Sequence, residues 1–141
     1  MSSHHELRRV LLGANVLICL AKRTERGRRY DQHLQGAVPV VPFAAAEALL
    51  NARRTRNRTL TERYWRARFD RSAALLPDAE TCAIWAELAA TTRAAGRPYQ
   101  DNDLWIAARA LQHDLPLMTH NARHFERLQG LRLIHEPDPA S

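Results

Sequence analysis

Residues 101–134, DNDLWIAARALQHDLPLMTHNARHFERLQGLRLI, decide the fold of this chain. Asp101, Asn102 and Asp103 are helix-starting residues, and the LWIAARALQH behind them carries its apolar residues at helical spacing. Leu115–Thr119 (LPLMT) is a buried-strand candidate, and Asn121 follows it directly. The remainder reads as a short helix, a glycine turn and a final strand, with Pro137 and Pro139 ending order.

Working outward, the same alternation recurs. Leu7–Leu12 reads as a short strand, the chain turns at Gly13-Ala14, and Asn15–Lys22 has helical periodicity. A polar, arginine-rich stretch leads to Val38–Val41, a buried-strand run bracketed by Gly36 and Pro39 and stopped by Pro42. A helix is expected over about Phe43–Arg54, alanine-rich with Glu47 as its only acid, and a basic amphipathic one from Thr59 to about Ala74. Ala73–Leu76 is a third strand candidate; Asp78 then caps a helix that runs to about Ala95, with Cys82, Trp85, Leu88 and Ala89 as its core face.

Strands alternating with helices predict an α/β fold with a central, mainly parallel β-sheet flanked by helices on both faces. Ligands in such sheets gather beyond the carboxyl ends of the strands. Gly13 follows the first strand, Glu47 lies about a turn past the second, and Asn121 follows the late strand, with Asp101 and Asp103 starting the helix that feeds it. All five are expected on one edge.

With 141 residues and an apolar fraction of 45%, the chain is expected to fold as one compact domain with a core over about 7–134. No apolar run approaches the roughly 20 residues of a membrane span, and the N-terminus lacks a signal peptide's apolar region, so the chain reads as cytoplasmic. Cys19 and Cys82 sit in apolar patterns outside any zinc spacing and are expected to be buried thiols. Net charge is +6, and thirteen of the twenty-one basic residues lie between Lys22 and Arg71. A positive field so concentrated favours a polyanionic partner, nucleic acid first, because neutralising phosphates releases condensed counterions.

At this point the chain resembles the PIN-domain family, especially its VapC-type branch of toxin ribonucleases. Three ordered blocks carry the resemblance: VLLGANVLICLAKR, VPFAAAEALLNARR, and the long block from Arg97 to Ile134 with its NDLWIAA element and Thr-x-Asn strand end. The resemblance implies a Mg²⁺- or Mn²⁺-dependent endoribonuclease acting on an RNA substrate, paired with a cognate antitoxin and forming a homodimer. The chemistry suits those residue types, since hard cations take carboxylate oxygens, keep several waters, lower a bound water's pKa and neutralise phosphate charge. Carried over residue by residue, Glu47, Asp103 and Asn121 match catalytic, metal-binding positions, and Asp101 is a nearby extra carboxylate. Gly13 stands where the first aspartate belongs, and His124 stands where many members carry aspartate, so two departures are expected at one site.

Each of these residues also has a plainer reading. Asp101 and Asp103 suit an ordinary helix start, Glu47 a solvated helix face or a pair with Arg53, and Asn121 a turn. Arg53, Arg54, Arg56 and Arg58 are either a solvated face or an RNA-binding surface, and the family adds a contact with acidic antitoxin segments or a second protomer. Trp65 and Phe69 read as core or dimer interface, and His113, His120 and His135 as ordinary polar residues. Two functions follow: an endoribonuclease impaired by Gly13, or a catalytically inactive module that binds RNA or an antitoxin.

Overall fold

The structure is a computed structural model that describes residues 8–42, 63, 73–75, 77–97, 99 and 101–139. The expected helix over Phe43–Arg54, with Glu47 and the four arginines, lies outside the described residues, as do Trp65 and Phe69. The described elements are β1 (Arg8–Leu12), α1 (Ala14–Lys22), α2 (Glu25–His33), β2 (Ala37–Pro42), β3 (Ala73–Leu75), α3 (Ala79–Ala94), α4 (Asp101–Gln112), β4 (Leu117–Met118), α5 (Ala122–Phe125) and β5 (Leu133–Ile134).

The five strands form one sheet in the order β3-β2-β1-β4-β5, and every pairing is parallel. The central strand β1 pairs Arg8 with Ala37 on one side and Leu12 with Met118 on the other. Its VLL run is buried on both faces, which is why it is continuously apolar and not alternating. Val10 and Leu12 point to Val16, Leu17, Leu20, Tyr30 and Leu34 of the α1–α2 layer. Leu11 points the other way, into a cluster with Ile106, Ala107 and Ala110 of α4. The sheet is therefore covered on both faces, as the alternation of elements predicts.

Helix α2 was not expected, since ERGRRYDQH reads as a polar stretch. Thr24 caps it by accepting a hydrogen bond from the Gly27 backbone N–H at 3.0 Å, and only Gly27 and Tyr30 of the helix are buried. Gly27 sits where α2 crosses α1 so closely that a side chain would collide with the Cys19 carbonyl. A helix held by one small and one large residue carries too little apolar periodicity to be recognised.

Three other expectations are corrected. Ala73 and Ala74 belong to β3, the strand expected over Ala73–Leu76, paired with Val40 and Val41, so a helix from Thr59 does not run on to Ala74. Cys82 is exposed and Cys19 half-buried, so neither is a fully buried thiol. In α3, Thr81, Ala89 and Thr92 are the buried residues, with Trp85 and Leu88 half-buried. The sequence AETCAIWAELAATTRA is small and mixed around its whole circumference, so spacing found Trp85, Leu88 and Ala89 but put Cys82 where Thr81 and Thr92 are buried.

That face is chosen by polar contacts with α4. Asp78 and Thr81 form a reciprocal capping box, and the buried Arg109 donates to the Thr81 hydroxyl at 2.8 Å and to Gln112 Oε1 at 2.9 Å. Burial pushes the Arg109 guanidinium below its ordinary pKa, opposed by the Asp78 carboxylate. Trp85 and Trp105 stack across the same seam, 5.2 Å between centroids. No helix among the described residues is long and apolar enough to cross a membrane.

Candidate active site

The strand order reverses direction between β1 and β4: the chain moves from β1 outward through β2 to β3, then returns to place β4 on β1's other side. In a parallel sheet, that reversal parts the loops leaving the two strands and opens a crevice at their carboxyl ends. A cleft of about 80 Å³ lies there, lined by Gly13 and Asn15 from the β1–α1 turn, Asp103 from α4, and Thr119, His120 and Asn121 beyond β4. Ile106, Leu117 and Phe125 give it an apolar floor. A larger groove of about 740 Å³, lined in part by Ile84, Leu88, Tyr99 and Leu128, shares no residue with it.

Gly13 has φ −70° and ψ 155°, an extended conformation open to any residue. Its N–H donates to the Met118 carbonyl at 2.9 Å, extending the β1–β4 pairing by one bond. A Cβ built at Gly13 would lie 3.1 Å from that carbonyl oxygen and 3.9 Å from the Thr119 Cα and Cβ. A side chain here fits if the carbonyl yields by a few tenths of an ångström. The backbone does not require glycine.

Asp103 is brought to the cleft by the first turn of α4, and its carboxylate is hydrogen-bonded with His124, Oδ2 to Nε2 at 3.0 Å. Asn121 lines the cleft from the N-cap position of α5, and its side chain makes no cap hydrogen bond. Three of the expected positions, Gly13, Asp103 and Asn121, thus meet around one cleft. Asp101 starts α4 as expected, but its side chain, like Glu47, lies outside the described residues. Among the described residues no three of the His, Cys, Asp and Glu side chains gather closely enough to hold a metal ion. The donors present are nonetheless hard oxygens, one carboxylate and one amide, and Mg²⁺ commonly binds through one or two carboxylates with water and phosphate completing its shell. In kind the described donors fit such an ion; in number they are few, Gly13 adding no side-chain oxygen and the Glu47 and Asp101 side chains lying outside the described residues.

The wall bearing Thr119 and Asn121 is braced from behind by a network that sequence reasoning missed. Tyr30, fully buried, stacks on His120 and places its hydroxyl 3.0 Å from His120 Nδ1. The hydroxyl also donates to the Thr119 carbonyl at 3.1 Å and accepts from the Glu136 N–H at 3.2 Å. On the other side of the ring, Cys19 Sγ lies 3.1 Å from His120 Nε2. With Nδ1–H donating to Tyr30 and the Cys19 thiol donating to Nε2, the Tyr30 hydroxyl keeps its proton for the Thr119 carbonyl. That requires a neutral imidazole, and burial, followed by the Arg26 and His135 charges, lowers the His120 pKa to about 4. Burial also raises the Tyr30 pKa, so the phenol stays protonated. The available signal was His120 itself, between the strand and Asn121; its partners come from elements about 90 and 100 residues away.

The described geometry can be set beside known proteins. Residues 10–131 match the PIN domain family. The chain is 31% identical over 125 residues to Ribonuclease VapC1 of Haemophilus influenzae strain R2866, an alignment covering 86% of this chain and 93% of the relative. The chain belongs to the PIN-domain family. Within it, this PIN domain is of the VapC type. Its backbone superposes on VapBC-1 from nontypeable Haemophilus influenzae with a TM-score of 0.74 at 31% identity, covering 90% of this chain and 97% of that one. VapBC2 from Rickettsia felis, bound to a DNA fragment from its promoter, matches with a TM-score of 0.78 at 19% identity over 91% and 98%, a likeness of fold alone. In this PIN domain the cleft at the β1–β4 crevice holds Gly13, Asp103 and Asn121, three of the positions to which the resemblance assigned chemistry.

Proposed function

We propose that the chain is a VapC-type toxin of the endoribonuclease class, that the β1–β4 cleft is its active centre, and that Gly13 leaves its RNA cleavage impaired. The observation that carries this reading is the meeting of Gly13, Asp103 and Asn121 at the switch point of the sheet. The relatives named for ribonuclease activity and the VapBC complexes of like fold support it.

In this reading Asp103 and Asn121 would hold Mg²⁺ or Mn²⁺, joined by Glu47 and Asp101. When bound, such an ion supplies a more acidic water and neutralises charge developing on the phosphodiester. Asp103 provides the carboxylate, Asn121 orients an oxygen or a water, and the Tyr30–His120 network holds the loop carrying Asn121 in place. Gly13 contributes no oxygen where such an ion and its water would need one. Arg53, Arg54, Arg56 and Arg58 supply the charge for RNA backbone contact, and the partners are a cognate antitoxin and a second protomer in a cytoplasmic complex. The Gly13 backbone, which accepts any residue, favours the impaired enzyme over glycine kept for structural need.

The test is RNA cleavage with Mg²⁺ or Mn²⁺ by the chain itself, by Gly13→Asp, and by Gly13→Asp with Asp103→Asn. Cleavage by Gly13→Asp alone is the expected result. Cleavage by the unaltered chain as fast as by Gly13→Asp refutes impairment. No cleavage by any of the three, with folded proteins and varied RNAs, refutes the nuclease reading and leaves the binding module.

A further inference from the structure

His124 departs from the pattern, and the structure separates its role from that of Gly13. The imidazole reaches Asp103 Oδ2 at 3.0 Å, yet His124 is not among the residues lining the cleft, whereas Asp103 is. It meets a carboxylate that lines the cleft without lining it itself. The ring is held there by three contacts. Tyr99 lies against it with centroids 4.2 Å apart, Phe125 meets it edge-on at 5.3 Å, and the His124 carbonyl accepts the Tyr99 hydroxyl. Its own N–H donates to the Asn121 carbonyl at 3.1 Å, tying it to the turn that carries the other cleft oxygen.

We infer that His124 is a positioning residue for Asp103: it fixes the carboxylate through Oδ2 and leaves Oδ1 to the cleft. The inference rests on the metal-site reading above and makes Gly13 the disabling departure of the two. Ligating carboxylates are commonly oriented by such outer hydrogen bonds, and losing one typically costs 10–100-fold in metal affinity. A carboxylate only accepts, so the imidazole is the donor, from Nε2–H. An aspartate at 124, shorter than histidine, would bring no N–H to Oδ2.

The test is Mn²⁺ affinity, read by electron paramagnetic resonance on Gly13→Asp and on that protein carrying His124→Phe or His124→Gln. Phenylalanine keeps a ring against Tyr99 and Phe125 and removes the N–H; glutamine keeps an N–H of similar reach and removes the ring. The expected result is a loss of at least about tenfold for phenylalanine and no more than about threefold for glutamine, at unchanged folded content. Should phenylalanine not fold, His124→Asn, too short to reach Oδ2, takes its place with the same expected loss. Equal affinity with and without the N–H, or glutamine falling as far as phenylalanine, overturns the positioning role alone. Absence of Mn²⁺ binding by Gly13→Asp itself overturns the metal-site reading, and this inference with it.

Discussion

Replacing Gly13 with aspartate should leave the fold standing, and the size of the effect can be worked from local geometry. The backbone at φ −70° and ψ 155° accepts any residue, so the change carries no dihedral strain. Gly13 is the N-cap of α1, whose first turn has no acidic residue. An aspartate cap improves on glycine by a few tenths of a kcal/mol, and its charge at the helix N-terminus adds about 0.3–1 kcal/mol. Against this, the new Cβ lies 3.1 Å from the Met118 carbonyl oxygen, and crowding of that kind costs on the order of 1 kcal/mol. Repulsion from Asp103 acts in the same direction. The net change is within about 1 kcal/mol, a shift of about 4 °C in Tm for a domain of this size. Differential scanning calorimetry without metal measures it directly. With Mn²⁺ at about 100 times its Kd, Gly13→Asp should gain about 2.7 kcal/mol, and the unaltered chain markedly less at the same concentration. A loss of more than about 3 kcal/mol without metal would show that the Met118 carbonyl cannot yield, refuting the claim that position 13 is free of structural demand. A Tm indifferent to Mn²⁺ in both proteins would refute the site.

Further outcomes are expected elsewhere. Gly27→Ala should destabilise the fold by about 3 kcal/mol, because the methyl meets the Cys19 backbone and α2 must lift from α1; urea denaturation with a change under about 0.5 kcal/mol would contradict the close approach. Tyr30→Phe removes a buried hydroxyl shared by the Thr119 carbonyl, the Glu136 backbone and His120, and should cost about 1–3 kcal/mol by the same measurement. For His120 the folded pKa, about 4, lies below its ordinary 6.5, so the unfolded chain binds the proton first. Its contribution is complete above pH 6.5 and is lost as pH falls through 4. The shift would be worth about 3 kcal/mol if fully buried, and about 1–2 kcal/mol for a half-buried ring screened by water. Stability measured from pH 7 to pH 4 should flatten in His120→Gln, and an identical pH slope in both proteins would rule His120 out as the source.

What the sequence by itself determined is the frame. Apolar runs such as Val10–Leu12 and Leu117–Met118 are buried on both faces of a parallel sheet, and such burial requires continuous hydrophobicity that any reading of the chain can see. The NDLWIAA block and the Thr-x-Asn strand end likewise carry their positions openly, and the missing oxygen at Gly13 is legible because it is a residue type. Tertiary structure decided the rest. Helix α2 is held by the glycine that lets it touch α1 and by one buried tyrosine; the buried face of α3 is chosen by Arg109 and Gln112 on a neighbouring helix. The Cys19–His120–Tyr30 network joins residues as much as 101 positions apart. His124 is legible only as a departure from the pattern, while the contact of its Nε2 with Asp103 Oδ2 at 3.0 Å exists only in the fold. Spacing along a chain reports which residues share an element's face; which groups meet across elements depends on backbone approach, and that exists only in the folded protein.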